Sequence, residues 1–83
     1  MPNTIEEIKK TINKALEVAE RIEDAYCRSR ALSDIAKALA EIGDIDKALE
    51  VAERIKNNYF RSGALTNIAK VLAEIGDIDK AKK

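Results

Sequence analysis

Residues 14–46 and 47–79 are the same sequence written twice. KALEVAERIEDAYCRSRALSDIAKALAEIGDID aligns without a gap on KALEVAERIKNNYFRSGALTNIAKVLAEIGDID at a period of 33, and 25 of the 33 positions are identical. The eight differences are Glu23/Lys56, Asp24/Asn57, Ala25/Asn58, Cys27/Phe60, Arg30/Gly63, Ser33/Thr66, Asp34/Asn67 and Ala38/Val71. A period between about 20 and 50 residues marks a stack of supersecondary units. One such unit leaves part of its apolar face bare, and a neighbouring copy covers it. The expectation is a single domain, 1–83, in which the two stretches take one shape and Leu39 and Leu72 have like surroundings.

Within each unit the apolar spacing is helical. Leu32, Ile35, Ala36, Leu39 and Ile42 follow i, i+3, i+4, i+7 spacing, as do Ile45, Ala48, Leu49, Ala52 and Ile55. Gly43 falls just past one series and Asp44 just before the next. Glycine relieves the left-handed residue that ends a helix, and aspartate accepts the free N–H groups that begin one. The GDID segment therefore reads as helix stop, helix start, and Gly76-Asp77 writes it again. Asp24, or Asn57 and Asn58, supplies a softer break. Thr4 with Glu7 fits a capping box, and Ile5, Ile8, Ile12, Ala15, Leu16, Ala19 and Ile22 keep one apolar face. Glu6/Lys10, Glu17/Arg21, Asp24/Arg28 and Glu50/Arg54 are acid-then-base pairs at i, i+4. The spacing predicts helices over 4–22, 26–42, 44–56 and 59–75, with a short stub from 77.

Leu32, Ile35, Ala36 and Leu39, then Gly43-Asp44-x-Asp46, then Ala48, form a pattern repeated by Leu65, Ile68, Ala69, Leu72, Gly76-Asp77 and Ala81. This pattern resembles the tetratricopeptide repeat (TPR), a helical hairpin of about 34 residues. The unit here is one residue shorter, lacks the usual proline after the second helix, and carries Ala52 and Ile55 where a large aromatic and a small residue are common. The resemblance implies an all-α, right-handed α-solenoid of stacked antiparallel hairpins, about four helices plus the stub; a HEAT-like stack is the alternative. It also implies protein binding in a groove lined by Arg30, Ser33, Lys37, Ala40 and Glu41, with Gly63, Thr66, Lys70, Ala73 and Glu74 beside them. Lys37 and Lys70 would stack as a basic ladder suited to an acidic peptide. The plainer reading is two solvated lysines facing water.

Composition narrows the function. Net charge is zero, with 15 charges of each sign, which argues against a nucleic-acid or membrane-surface partner, since both reward surplus positive charge. No apolar run approaches the roughly 20 residues of a membrane span, and MPNTIEEIKK lacks the apolar core of a signal peptide, so a cytoplasmic location is expected. Histidine is absent and Cys27 is the single cysteine, so no disulfide or cysteine-based metal site can form within the chain. No nucleophile–base set or phosphate loop is present, and the four aspartates of the GDID turns lack the ligand count of a calcium loop. No cofactor, metal or catalytic residue is expected, and the chain reads as no enzyme. Cys27 sits at a helix start, where a thiol can be activated, but its alignment with Phe60 reads more simply as a small apolar filler. Tyr26 and Tyr59 recur just before Arg28 and Arg61, and are expected to plug the hairpin junction rather than to form a recognition pair. Abundant Lys, Glu and Ile resemble the usage of thermostable or idealised proteins.

The second unit breaks off at Lys82-Lys83, where the first continues with Leu49. The expectation is that Leu65, Ile68, Val71, Leu72 and Ile75 lose part of their cover and drive self-association, as an isologous homodimer. A second route is domain exchange, in which the turn at Gly43 or Gly76 straightens and two helices merge. The sequence thus supports a TPR-like interaction or scaffold module that self-associates. The alternatives are an engineered or idealised repeat fragment with no evolved ligand, a binder of acidic peptides, or a thiol-dependent protein using Cys27.

Overall fold

The computed structural model describes residues 4–82, with side chains described through residue 76. Four helices make up the chain: α1 (Ile5–Glu20), α2 (Ala25–Glu41), α3 (Ile45–Glu53) and α4 (Asn58–Lys82). Among the described residues there is no strand.

Each helix starts where a short polar side chain takes up the free backbone donors. Thr4 and Glu7 close the capping box: the Glu7 N–H donates to Thr4 Oγ1 at 3.1 Å and the Thr4 N–H to Glu7 Oε1 at 3.4 Å. Asp24 Oδ1 accepts from the Cys27 N–H at 2.8 Å, Asp44 Oδ1 from the Lys47 N–H at 3.4 Å, and Asn57 Oδ1 from the Phe60 N–H at 3.1 Å. At the end of α2, Gly43 has a φ of 90°. Its N–H donates to the Ala40 carbonyl at 3.0 Å, while the Asp44 N–H reaches back to the Leu39 carbonyl at 2.9 Å. These two bonds are a Schellman motif, and the left-handed residue at its centre favours glycine.

The helices pack as hairpins, α1 on α2, α2 on α3 and α3 on α4, and α2 also lies against α4. Among the described residues α1 and α3 do not approach each other's backbone. They are tied by ion pairs: at one end Arg54 Nη1 donates to Glu20 Oε2 at 2.7 Å and Arg54 Nη2 to Glu50 Oε1 at 3.3 Å, and at the other Lys9 Nζ lies 3.8 Å from Asp44 Oδ2. The core runs from Leu16 and Ala19 through Leu32, Ala36, Leu39 and Ala40 to Val51, Ile55, Ala64 and Ile68. Small residues at Ala36, Ala48 and Ala52 are wholly buried, so neighbouring backbones lie close. The result is a slab of 48 × 35 × 16 Å.

The structure departs from the sequence expectation at one place above all. Gly76-Asp77 does not turn: α4 runs through it to Lys82, so the expected helix end at 75 and the separate stub are both corrected. At Gly43 the turn is held by the helix beyond it, because α3 buries Ala48, Val51 and Ala52. At Gly76 no packed helix follows among the described residues, and the chain keeps its helical hydrogen bonds at the modest cost of one glycine, about 1 kcal/mol. The two units therefore share a shape up to the glycine and diverge after it. Leu39 is buried and Leu72 exposed, against the expectation of like surroundings. Of the four i, i+4 pairs, Glu50/Arg54 forms an ion pair; Arg28 turns instead to the backbone carbonyls of Ile22 and Glu23.

Candidate functional site

The break between α1 and α2 and the break between α3 and α4 share one plan, differing in that Arg28 also donates to the Glu23 carbonyl and Arg61 to the Asn58 side chain. The Arg28 N–H donates to the Asp24 carbonyl and the Arg61 N–H to the Asn57 carbonyl, each at 2.9 Å. Arg28 Nη1 reaches the Ile22 carbonyl at 2.7 Å, and Arg61 Nη1 the Ile55 carbonyl at 3.3 Å. These carbonyls lie past the last turn of α1 and α3, where helical partners have run out, and a cationic side chain satisfies them well. The arginines, not the tyrosines, close the junction. Tyr26 is 58% and Tyr59 81% exposed, which corrects the expectation that they plug it. Both rings stand edge-on to Phe60, with centroids 5.0 and 5.3 Å away.

Cys27 is exposed, so it is no core filler. The Asp24 carboxylate, hydrogen-bonded to the thiol and adding its charge, raises the thiol pKa above its ordinary value. The Cys27 backbone N–H in turn holds the Asp24 carboxyl below the usual carboxylate range, with smaller help from the thiol, Tyr26 and Arg28. A thiol kept protonated is a poor nucleophile.

The expected peptide groove lies along α2 and α4. Arg30, Lys37, Glu41, Gly63, Thr66, Lys70, Ala73 and Glu74 are exposed and Ser33 half-buried, but Ala40 belongs to the core. A hollow of about 570 Å³ brings Ser33 together with Gly63, Tyr59 and Asn67, and Thr66 lines another with Leu65. Neither Lys37 nor Lys70 lines these hollows, so they give the expected ladder no enclosed floor.

The expected self-association face also changes. Leu65, Leu72 and Ile75 are exposed, whereas Ile68 is buried and Val71 half-buried against the core. The uncovered surface of α4 is rotated from the one expected, to Ser62, Leu65, Ala69, Leu72 and Ala73. Their counterparts one period earlier are Ser29, Leu32, Ala36, Leu39 and Ala40, all buried in α2. The contrast is 38% against 4% for Leu65 and Leu32, and 47% against 2% for Leu72 and Leu39. A hollow of about 540 Å³ lies over Ser62, Leu65 and Ala69.

A second uncovered surface lies at the opposite end, between α1 and α2. Ala15, Val18, Ile22, Ala31 and Ile35 line an almost wholly apolar hollow of about 580 Å³. Val18 is 62% exposed, and its counterpart Val51 is 0% exposed. Sequence reasoning missed this surface, although its signal was present: Lys14–Ile22 and Lys47–Ile55 are identical, yet only the second lies between two other helices.

No family model matches the chain, and neither a curated protein nor a solved structure matches it. Among the described residues no three His, Cys, Asp or Glu side chains gather to hold a metal ion, and no helix is long and apolar enough to cross a membrane.

Proposed function

We propose that the chain is a protein–protein interaction module, a TPR-like stack of helical hairpins that associates with itself through the uncovered face of α4. The observation that carries this reading is the burial contrast within one sequence. Leu32, Ala36, Leu39 and Ala40 on α2 are covered by neighbouring helices, while the identical Leu65, Ala69, Leu72 and Ala73 on α4 meet water. Contiguous exposed apolar surface of this kind marks an interaction site. The role is binding rather than catalysis, in keeping with the absence of histidine from the sequence and with a thiol held protonated.

Light scattering across the micromolar range tests the reading. The native chain should show a mass that rises with concentration above the 9.2 kDa of one chain, and Leu65→Glu with Leu72→Glu should return it to that value. A mass of one chain at every concentration overturns the proposal. Binding of an acidic peptide, lost in Lys37→Glu with Lys70→Glu, would favour the groove instead.

A further inference from the structure

The geometry points to one occupant for the α4 face: the α1–α2 hollow of a second copy, joined head to tail. This inference rests on the self-association proposed above and specifies its mode. The template is already present within the chain. There α2 presents Ser29, Leu32, Ala36, Leu39 and Ala40, and packs against both α3 and α4. The surface of α3 and α4 that meets it includes Ala48, Val51, Ile55, Ala64 and Ile68, all buried. Shifted by the period of 33, the first set becomes the uncovered face of α4. Shifted the other way, the second set becomes Ala15, Val18, Ile22, Ala31 and Ile35, which line the apolar hollow of about 580 Å³. All five residues are identical in each of the two sets. The two ends of one molecule are thus the two halves of an interface that the same molecule forms internally.

Charge agrees with this placement. Within the chain, Glu20 of α1 pairs with Arg54 at the end of α3. Across the head-to-tail contact the equivalent pair is Glu53 of one copy with Arg21 of the next, and both are exposed. α4 continues as helix through Gly76 instead of turning back, and Leu65, Ala69, Leu72 and Ala73 stay exposed to an incoming α1. Because the two surfaces differ, the contact is heterologous, and it builds open chains or rings instead of a closed pair related by a two-fold axis.

The test uses two variants that block opposite ends at residues already exposed in the folded chain: Val18→Glu and Leu72→Glu. Far-ultraviolet circular dichroism verifies that both stay helical. Each alone should scatter as a single chain of 9.2 kDa, since each preparation lacks one half of the interface. Mixed in equal amounts they should form a one-to-one complex and stop there. Arg21→Glu should weaken native association several-fold, and adding Glu53→Arg to the same chain should restore it. If Val18→Glu associates as the native chain does, the head-to-tail mode is overturned while self-association through α4 stands. Failure of the mixture to form a complex overturns it as well. A native chain that stays single at all concentrations sinks both proposals.

Discussion

Arg28 and Arg61 show how much of this fold is decided by single side chains. Each guanidinium donates to a carbonyl that a helix end leaves without a partner, Ile22 for Arg28 and Ile55 for Arg61, and the shorter contact belongs to Arg28. Arg28→Ala is expected to destabilise the chain by about 1–3 kcal/mol, since it strands a half-buried acceptor. Arg61→Ala should cost less, and thermal unfolding of the two variants reads the difference. Asp24 makes a second residue-level prediction. Its carboxyl is held below its ordinary pKa by the Cys27 N–H, so its contribution is complete above the unfolded value near pH 4 and fades as acid takes the pH through the folded value. Asn57 performs the same capping at the second junction without a charge. Asp24→Asn should therefore preserve stability at neutral pH and flatten the loss below about pH 4; urea titrations at several pH values measure this. The caps at Thr4, Asp24 and Asp44 were legible in the sequence because each depends on neighbours a few residues away. The arginine clasp was not, because its acceptors lie across a bend six residues back.

At the scale of the helix, one heptapeptide adopts two structures. AEIGDID ends α2 at its first occurrence and continues α4 at its second. Local signals are equal in the two places, so packing decides: α3 buries its apolar stripe after Gly43, and no described helix does so after Gly76. Glycine substitutions should therefore have opposite signs. Gly43→Ala forces a side chain into a left-handed residue with φ of 90°, at about 1–2 kcal/mol. Gly76→Ala replaces glycine within a helix and should stabilise by about 0.5–1 kcal/mol. Neither added methyl meets a neighbouring atom, which leaves backbone conformation as the cause. Urea midpoints at one fixed protein concentration compare the two. Helix type and the placement of the first three helices could be read from periodicity and caps, although α1 and α3 stop at Glu20 and Glu53, short of the expected 22 and 56; the course of α4 depended on what lies beside it.

For the whole molecule, the arrangement is graded from middle to edge. α2 packs against the other three helices, whereas the backbone of α1 lies against α2 alone and α1 meets the ends of α3 through ion pairs. Backbone amides in the middle of α2 should exchange most slowly with deuterated water and those in the first turns of α1 fastest, because opening free energy follows buried contact. Amide exchange resolved by residue checks the order. The repeated unit made helical hairpins readable from sequence, and the equivalence of Leu32 with Leu65 pointed to apolar surface without cover on α4. Which surface would be bare was not foreseeable. Ile68 and Leu65 belong to the same helical stripe, and only the seating of α2 against α4 decides that Ile68 goes inward.

Phe60 of α4 stands between Tyr59 of its own helix and Tyr26 of α2, and the chain has no tryptophan. Every phenol in the molecule therefore touches the same ring, at the seam between two helices. Tyrosine emission and near-ultraviolet dichroism then act as a built-in gauge of that seam. They should change when α2 and α4 part, even under conditions that leave both helices wound.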